Sequence, residues 1–380
     1  MRIGGTADWH IGAGMDADVE SSVLQIAQIF RDHKVDYIAL PGDLFDHKST
    51  ADGRNLLQRL IQELCSVAPV IGCYGNHDQP GDLDIFGHLE VKHPILIFDS
   101  PHIYFPDPGT NRYLFHVLPW FTKATWQSHN IGMSKDEGDK TVSQMGLQYV
   151  KNNVMLYSAK YPGIAHILIS HLSVAGAQAQ NHQPLIGEGI GFGLNDLSES
   201  GLYGGIFGHI HLHQPLTASD LFSYPGSPAA MNYGEDPEKY CVILDTDEGS
   251  TQWYQLKTVD RFSVDCIWPL QLSMTGEQFN EMLARAKGAR VRALLKIEEG
   301  DDLAHAREEL EKILLAAGAL EVKIEPQTIP KELVRSVEIS KAQSLEEKLE
   351  AYWLANNNRP SEETVIRMKQ KLSVVEQRCR

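Results

Sequence analysis

Gly42-Asp43-Leu44-Phe45-Asp46 is the stretch that decides the fold, because here Pro41 and a carboxylate end an apolar run at residues 37–40. A short apolar run that stops at Pro-Gly is typical of a buried strand leading into a loop. Asp43 is then placed at the carboxyl end of a strand, the edge of an α/β sheet at which ligands bind because loops converge there. We therefore predict an α/β fold with a site at this edge.

Four other apolar segments lead in the same way into Asp, His or Asn. The polar stretches that follow them are Asp8-Trp9-His10, Gly75-Asn76-His77-Asp78, His171, and Gly208-His209-Ile210-His211. A single Asp-x-His or His-x-His is usually a hydrogen-bonded turn or an accident of sequence. Five such stretches have no simple structural explanation, because carboxylates and imidazoles gathered at a sheet edge would repel one another or stay solvated. We expect the five strand ends to share one rim.

Length and composition limit the class of protein. The 380 residues are too many for one compact core and suggest two or three domains. No apolar run approaches the roughly 18 residues of a membrane span, and the N-terminal residues differ from a secretory signal. The cysteines form no C-x-x-C pair, which predicts a reduced, cytoplasmic protein. They are Cys65, Cys73, Cys241, Cys266 and Cys379.

Residues 1–260 carry the five apolar segments and form the first predicted domain. Apolar residues at helical spacing predict helices between the strands, at residues 19–34, 52–67 and 142–159. Asp52 is a possible N-cap of the second of these helices. The glycine-rich stretch at residues 187–193 does not follow a strand and open a helix as a phosphate-binding loop does. We interpret it as a flexible surface loop or a substrate lid.

The composition changes after residue 260. Residues 261–326 alternate strand, helix, strand, helix and strand, and predict a small α+β domain. Residues 327–340 are polar and predict a linker. Residues 341–380 contain two amphipathic helices, whose apolar stripes are Leu345, Leu349 and Tyr352 in one and Val365, Met368, Leu372 and Val375 in the other. The net charge of −16 excludes a surface that is basic throughout, so a nucleic-acid substrate would need a local basic groove, metal ions or a partner.

The rim residues have the chemistry of a metal site. The candidate ligands are Asp8, His10, Asp43, Asn76, His171, His209 and His211. Oxygen and imidazole ligands without a thiolate suit Mn²⁺, Fe²⁺ or Mg²⁺ better than structural zinc. Seven ligands are too many for one catalytic ion, but two ions that share Asp43 would each keep open positions for a phosphate and a water. The residues therefore predict a hydrolytic site.

Two further residues of these motifs are candidates for catalysis. His77 follows Asn76 directly, and its imidazole points elsewhere if Asn76 binds a metal. It is then free to protonate a leaving oxygen. Asp46, three residues after the shared ligand, is a candidate carboxylate partner that would orient this imidazole.

The motifs, in this order, resemble those of the calcineurin-like metallophosphoesterases, and within them most nearly the SbcD family of bacterial nuclease subunits. Met1-Arg2-Ile3, His171-Leu172-Ser173-Val174-Ala175-Gly176-Ala177 and Gly226-Ser227-Pro228 add to this resemblance. It implies a β-sandwich flanked by helices, with a small α+β cap domain and a C-terminal helical pair. It also implies two Mn²⁺ ions, with Mg²⁺ as an alternative. Asp8, His10, Asp43 and His211 would hold one ion, and Asp43, Asn76, His171 and His209 the other.

The resemblance further implies a DNA exonuclease and endonuclease that works with an SbcC-like ABC ATPase with coiled coils, as a homodimer within a heterotetramer. Residues 261–326 would position DNA, with Arg285, Lys287, Arg290 and Arg292 as candidate phosphate contacts. The C-terminal helices would bind the ATPase, or else form an intramolecular hairpin.

Two other functions stay open at this point. One is hydrolysis of phosphoproteins or small phosphate esters. Phosphoprotein phosphatases of this superfamily usually carry an arginine just after the second and third motifs, where this chain has His47 and Gln79, and this favours a diester substrate. The other is a non-catalytic scaffold, which would have lost metal ligands, and no ligand is lost.

Overall fold

The computed structural model describes residues 1–106, 112–120, 135–178, 191–217, 219–269, 275–298, 300–329, 345–355, 359–362, 364–369 and 371. The strands are β1 (Arg2–Gly5), β2 (Tyr37–Pro41), β3 (Val70–Cys73), β4 (Ile95–Phe98), β5 (His102–Tyr104), β6 (Tyr113–Leu118), β7 (Ala165–His171), β8 (Ser173–Ala175), β9 (Gly191–Gly193), β10 (Gly204–Gly208), β11 (Gln214–Pro215), β12 (Phe222–Tyr224), β13 (Tyr240–Asp245), β14 (Ser250–Gln255), β15 (Arg261–Ile267), β16 (Arg290–Glu298) and β17 (Glu321–Ile329). The helices are α1 (Asp16–Asp32), α2 (Ala51–Val67), α3 (Lys135–Lys160), α4 (Leu194–Glu199), α5 (Gly276–Ala286), α6 (Leu303–Ala316) and α7 (Leu345–Ala355), with a short 3₁₀ helix at Asp84–His88.

Two six-stranded sheets form the body of the molecule. The first has the order β14-β13-β1-β2-β3-β4, and β1 to β4 are parallel. The second has the order β11-β12-β10-β7-β6-β5, and its four central strands are parallel. The sheets pack face to face over a shared apolar core in which Ile3, Ala39 and Ile71 of the first meet Phe115, Val117, Ile167, Ile169 and Ile206 of the second. The α/β fold and the sandwich flanked by helices are confirmed.

Strand β2 illustrates why the sequence folds in this way. Ala39 faces the core between the sheets, while Ile38 and Leu40 face α1 and α2. Because side chains alternate along a strand, a strand buried on both faces needs the continuous apolar run that the sequence shows. The N-cap of α2 is Thr50, whose hydroxyl accepts a hydrogen bond from the Gly53 N–H at 3.0 Å. The expectation that Asp52 is this cap was wrong.

Residues 191–193 differ from the surface loop that we expected there. They form β9, which pairs in parallel with β8, and Gly193 precedes α4 directly. An added Cβ at Gly191 would lie 2.2 Å from the Ser173 carbonyl oxygen, so this pairing requires glycine. The glycines at 187 and 189 lie outside the described residues.

Strands β15, β16 and β17 form a separate three-stranded sheet, which we call the C-terminal layer together with α5 and α6. All three strands are parallel, as two successive strand–helix–strand connections require, so the unit is closer to an α/β layer than to the α+β arrangement that we expected. Its last strand continues to Ile329, into the start of the predicted linker. The rest of that linker lies outside the described residues.

The face of the C-terminal layer opposite its helices contacts the sandwich. Arg290 pairs with Asp18 of α1 at 3.0 Å and with Glu321 at 2.6 Å. The guanidinium groups of Arg261 and Arg292 lie 5.0 and 5.2 Å from the centroid of the Tyr233 ring. These contacts hold the layer to the body of the molecule.

The arginines that we predicted as phosphate contacts are engaged within the chain. Arg290 is in the ion pairs just described, Arg285 forms an ion pair with Asp260 at 2.8 Å, and Arg292 donates to the Ser263 hydroxyl at 2.9 Å. Arg285 and Arg290 are thus paired with carboxylates, whereas the contact of Arg292 is to a neutral hydroxyl. Exposed ion pairs are weak, so phosphate binding by these arginines and Lys287 stays a prediction.

The described part of the C-terminal segment contains α7 and a second helical segment at residues 364–369. Glu350 of α7 pairs with Arg359 at 3.5 Å and with Lys369 at 3.2 Å, which joins the two segments as a hairpin. The buried aromatic residue of α7 is Trp353, whereas Tyr352 of the predicted stripe is 41% exposed. Trp353 therefore takes the buried position that we assigned to Tyr352, while Leu349 of the predicted stripe is partly buried.

No helix among the described residues is long and apolar enough to cross a membrane. Four of the five cysteines are buried free thiols, and Cys379 lies outside the described residues.

Candidate metal centre

The candidate metal centre lies where the carboxyl ends of five parallel strands meet, three from the first sheet and two from the second. Asp8 and His10 follow β1, Asp43 follows β2, Asn76 follows β3, His171 ends β7, and His209 and His211 follow β10. The structure thus brings all seven candidate ligands to one rim. Four of them have a positive φ, namely Asp8 (55°), His10 (47°), Asp43 (52°) and His209 (98°). This region is sparsely populated by residues other than glycine, and such strain is typical of functional sites.

Glycines allow the strand ends to approach one another closely. An added Cβ at Gly75 would lie 2.1 Å from Asp43 Oδ1, and one at Gly208 would lie 1.9 Å from the Pro41 carbonyl oxygen. No side chain fits at such distances. The loops after β2, β3 and β10 can therefore pack at these distances only because both positions are glycine.

The side-chain atoms converge on two adjacent positions. At the first, His10 Nε2 lies 3.0 Å from His211 Nε2, and an oxygen of Asp8 lies within 4.8 Å of both rings. At the second, Asn76 Oδ1 lies 2.9 Å from His171 Nε2 and 3.0 Å from His209 Nδ1.

Asp43 stands between the two positions. Its Oδ2 is 3.6 Å from His10 Nε2 and 3.3 Å from His171 Nε2. A carboxylate that reaches an imidazole of each set is placed as a shared ligand requires.

The residues fit divalent cations on an independent observation. Asp8 is buried, and among the described residues its Oδ2 accepts no hydrogen bond. A buried carboxylate oxygen without a partner carries a desolvation cost that a cation would offset. Burial raises the pKa of Asp8 to about 6, against the opposing effect of His171. Oxygen and imidazole donors of this kind suit Mn²⁺, Fe²⁺ or Mg²⁺.

Three of the candidate histidine ligands make a hydrogen bond through Nδ1, the ring nitrogen that faces away from the centre. His171 Nδ1 donates to the Pro41 carbonyl at 2.8 Å, His10 Nδ1 to Asp46 Oδ1 at 3.1 Å, and His211 Nδ1 to Glu235 Oε1 at 3.2 Å. Because a carbonyl or carboxylate oxygen can only accept, each ring carries its proton on Nδ1. The Nε2 atoms of the three rings are therefore the ones that face the centre, where they can bind an ion.

A comparison with protein families agrees with this geometry, since the family described as calcineurin-like phosphoesterase matches residues 1–213. The chain belongs to the calcineurin-like phosphoesterases. It is therefore a metal-dependent phosphoester hydrolase, and the predicted resemblance is confirmed.

Other similar proteins are found by sequence and by structure. The SbcD subunit of the nuclease SbcCD from Bacillus subtilis (strain 168) is 25% identical over 279 residues, which cover 67% of this chain and 68% of that protein. A crystal structure of a protein from Thermus thermophilus is 14% identical with a TM-score of 0.41, over 67% of this chain and 98% of that one. A dimetal phosphatase from Danio rerio is 15% identical with a TM-score of 0.42, over 68% of this chain and 97% of that one.

His77 lies beside the candidate ligands, and its ring contacts that of His10 with centroids 4.8 Å apart. A nitrogen of each ring and an oxygen of Asp46 lie within 4.8 Å of one another, close enough to hold a metal. Its backbone N–H donates to Asp43 Oδ1 at 2.8 Å, and its Nδ1 donates to the backbone carbonyl of Asp46 at 2.7 Å. Its side chain is 41% exposed, so substrate can reach it. The Asp46 carboxylate is 3.9 Å from His77 Nδ1 and closer to His10. Asp46 is thus in place beside His77, but it holds that ring through its carbonyl rather than through the carboxylate that we expected.

Burial and neighbouring charges shift the pKa values of the clustered residues in different directions. Burial alone would raise the pKa of Asp43, but the adjacent His171 imidazole lowers it well below its usual range. Burial alone would lower the pKa of His171, but Asp43 and Asp8 raise it to about 9. His10 and His209 have pKa values lowered to about 4, first by burial and then by neighbouring imidazoles. Asp43 is therefore ionised, and His10 and His209 are neutral, at pH 7.

Asp78 has a structural role that the sequence analysis missed, although it belongs to the third motif. Its buried carboxylate accepts hydrogen bonds from the backbone N–H groups of Asp43, Leu44, Phe45 and Gly75 at 2.9 to 3.0 Å. It thereby joins the loop after β2 to the loop after β3. Its position within the third motif was the sequence signal that could have identified this role.

Trp120 and Glu235 were also missed. The Trp120 ring packs against His209 and His171, with centroids 4.9 and 5.9 Å apart. Glu235 holds His211 from 24 residues further along the chain. Neither residue stands in a motif of recognisable spacing, so no sequence signal identified them.

Proposed function

We propose that this phosphoesterase is a Mn²⁺-dependent DNA phosphodiesterase, with exonuclease and endonuclease activity, that works with an SbcC-like ABC ATPase in DNA repair, recombination or replication. The observation that carries the proposal is the identity of two residues on the rim around Asp43 and His77. His47 and Gln79 are the exposed residues that follow the second and third motifs, where the phosphoprotein phosphatases of the superfamily have arginines. A dianionic monoester requires more positive charge than a diester monoanion, so these neighbours favour a diester. The similarity to the Bacillus subtilis nuclease subunit supports the same substrate.

The chain's own residues supply the rest of the chemistry. Asp8, His10, Asp43 and His211 would hold one ion, and Asp43, Asn76, His171 and His209 the other. Two divalent ions there would supply Lewis acidity to the phosphate and a nucleophile from water.

In this proposal His77 donates its Nε2 proton to the leaving oxygen and regains a proton from solvent. The Asp46 carbonyl fixes the His77 ring, and the Asp43 carboxylate fixes its backbone. Both contacts limit the freedom of the ring, so its Nε2 reaches the leaving group at a small entropic cost.

The direct test incubates the purified protein with labelled linear duplex DNA, single-stranded DNA and a phosphomonoester. Each substrate is tested with Mn²⁺, Mg²⁺ and a chelator. We expect Mn²⁺-dependent cleavage of DNA that the chelator stops. Hydrolysis of the monoester alone would contradict the DNA assignment and favour the phosphatase alternative.

The C-terminal helices are proposed to bind the coiled-coil root of the ATPase. Trp353 and Val365 are buried, but Leu354 is 77% and Ile366 is 56% exposed, so each helical segment keeps an apolar side chain for a partner. Truncation after Glu338 should leave Mn²⁺-dependent cleavage of single strands intact and abolish co-purification with the ATPase. Assembly of the truncated protein at full affinity would assign the hairpin to the body of the molecule.

A further inference from the structure

Glu235 is an acidic residue next to the candidate metal centre, and its side chain is fully buried. Its Oε1 accepts from His211 Nδ1 at 3.2 Å and from Asn232 Nδ2 at 3.0 Å. Its Oε2 accepts from Lys239 Nζ at 2.8 Å and from the Met231 N–H at 3.1 Å. Both oxygens are thus committed, one of them to a candidate metal ligand.

Lys239 explains how a carboxylate can remain charged at this depth. Its side chain is 3% exposed, and its Nζ donates to Glu235 and to the Ser227 hydroxyl at 3.0 Å. A buried charge is tolerated only when it is paired and hydrogen-bonded, and this ammonium meets both conditions for Glu235. The pair carries no net charge, so it places a full carboxylate against His211 without adding charge to the centre.

His211 itself is constrained on both sides. Glu235 requires a proton on Nδ1, so Nε2, which lies 3.0 Å from His10 Nε2, is the nitrogen left to bind an ion. With Gln at position 235 the amide could rotate and present its NH₂ group to Nδ1, and the opposite tautomer would then become accessible. The charge of Glu235 therefore selects the tautomer, and the hydrogen bond selects the orientation of the ring.

We propose that Glu235 is a positioning residue of the metal centre, which holds His211 in the tautomer and orientation that bind the ion, and that Lys239 serves only to keep Glu235 charged. This inference rests on the metal centre of the proposed function and not on its DNA substrate. Of the three outer contacts in the described site, it is the one made by a fully buried side chain. The contact to His171 is a backbone carbonyl, and the Asp46 carboxylate that holds His10 is 36% exposed.

Three variants distinguish a role in positioning His211 from a role in stabilising the fold. Glu235→Gln removes the carboxylate and leaves Lys239 without its counter-charge. The double variant Glu235→Gln, Lys239→Met removes both charges, so no unpaired buried charge remains. Asp245→Asn is the matched control, because Asp245 is a buried carboxylate with 4% side-chain exposure that pairs with Arg2 at the opposite end of β1 from Asp8.

The measurement is Mn²⁺ affinity of the full chain by calorimetry, with metal content after dialysis and chemical unfolding of the metal-free protein in parallel. Loss of an outer partner of a ligating histidine typically lowers metal affinity about 10- to 100-fold. We expect that loss in Glu235→Gln and equally in the double variant, while Asp245→Asn binds like the parent. Long-range ¹⁵N spectra of histidine-labelled, metal-free protein should show a fixed Nδ1–H tautomer for His211 in the parent and a mixture in the double variant.

The possible outcomes are distinct. If the double variant regains parental affinity, the pair contributes only stability and the positioning role is wrong. If the double variant loses affinity but keeps the His211 tautomer of the parent, the stated cause is wrong. If the parent protein binds no Mn²⁺, both this inference and the metal centre of the proposed function are overturned. Binding of Mn²⁺ without DNA cleavage would overturn the proposed function and leave this inference intact.

Discussion

The sandwich and the C-terminal layer both contain parallel strands joined by helices, but among the described residues the clusters of His and Asp that could hold a metal all lie in the sandwich. In the sandwich, the carboxyl ends of β1, β2 and β3 meet those of β7 and β10 from the opposing sheet. The C-terminal layer has a single sheet, so its strand ends have no opposing set. The carboxyl ends of the strands in one parallel sheet thus provide an edge for polar residues. A cluster of candidate ligands requires two such edges that converge.

Charges are also used differently in the two regions. In the layer, Arg285 and Arg290 are neutralised by Asp260, Asp18 and Glu321 in ordinary ion pairs. At the rim of the sandwich, Asp8 has an oxygen with no partner among the described residues, and imidazole nitrogens face one another. Paired charges contribute to docking, and unpaired charges mark the place where a ligand belongs.

The strongest test of this contrast removes the shared carboxylate. Asp43→Asn should lose bound metal and lower cleavage by more than about 10⁴-fold, beyond the usual range for a general acid alone. Asp265→Asn in the C-terminal layer, where Asp265 pairs with Lys296 at the surface, is the control and should keep both metal and activity. Metal analysis and DNA cleavage are measured on the same samples. Retention of full metal content by Asp43→Asn would remove Asp43 from the centre.

Replacement of His77 separates catalysis from metal binding. His77→Ala should lower cleavage by about 10² to 10⁴-fold, because a general acid is lost, while metal content stays at the parental level. His305→Ala, in an exposed histidine of the C-terminal layer, provides the comparison. Loss of metal from His77→Ala would make His77 a ligand, and unchanged turnover would remove it from the reaction.

A smaller effect is expected from closing the space between the loops after β2 and β3. Gly75→Ala places a methyl group against Asp43, and overpacking of this kind costs about 1 to 3 kcal/mol. Gly87→Ala is the matched control, since an added Cβ there meets nothing within 4 Å. Mn²⁺ titration and denaturant unfolding should show weaker binding and lower stability for the first variant alone. Equal Mn²⁺ affinity and equal unfolding free energy in the two variants would mean that the loops can move apart without loss of stability.

The effect expected to be smallest near neutral pH concerns acid stability, which should differ between the two regions. His116 is buried in the sandwich, where its Nε2 lies 2.8 Å from His166 Nδ1, and burial lowers its pKa to about 3. A folded-state pKa below the unfolded value near 6.5 means that the unfolded chain binds more protons between pH 6.5 and 3. Stability therefore decreases as the pH is lowered through this window, by up to about 1.4 kcal/mol per pH unit from this group.

His116→Gln keeps a nitrogen donor but cannot be protonated, so its unfolding free energy should fall less steeply below pH 6. The C-terminal layer has one histidine, the exposed His305, and should contribute no such dependence. Denaturant unfolding of parent and variant at several pH values measures the difference. Parallel pH profiles for the two proteins would show that protonation of His116 does not limit acid stability.

The sequence predicted the strands that lead to the rim and the seven candidate ligands that the structure brings together there, because each motif is local. A buried apolar run followed at once by a polar residue can be recognised without knowledge of the rest of the chain. The register of the helices was less well predicted, since the Thr50 cap and the buried face of α7 depend on which turn meets its neighbour.

Contacts between distant residues could not be predicted. Arg290 pairs with Asp18, which lies 272 residues earlier, and no local pattern distinguishes a paired arginine from one that binds phosphate. In the same way, Asp46 was placed near His77, but which of its oxygens makes the contact depends on the path of the loop after β2. Glu235 lay outside every motif, although it holds His211.

The ring of Tyr233, which contacts both Arg261 and Arg292, links the sandwich mechanically to the C-terminal layer. Tyr233 stands two residues before Glu235 in the chain. A rotation of the C-terminal layer away from the sandwich must either break both cation–π contacts or carry Tyr233 with it. In the second case, the backbone pulls on the carboxylate that holds His211. A load applied to the layer, for example by a moving partner, would thus be transmitted along three residues to the metal centre as a displacement of a single imidazole.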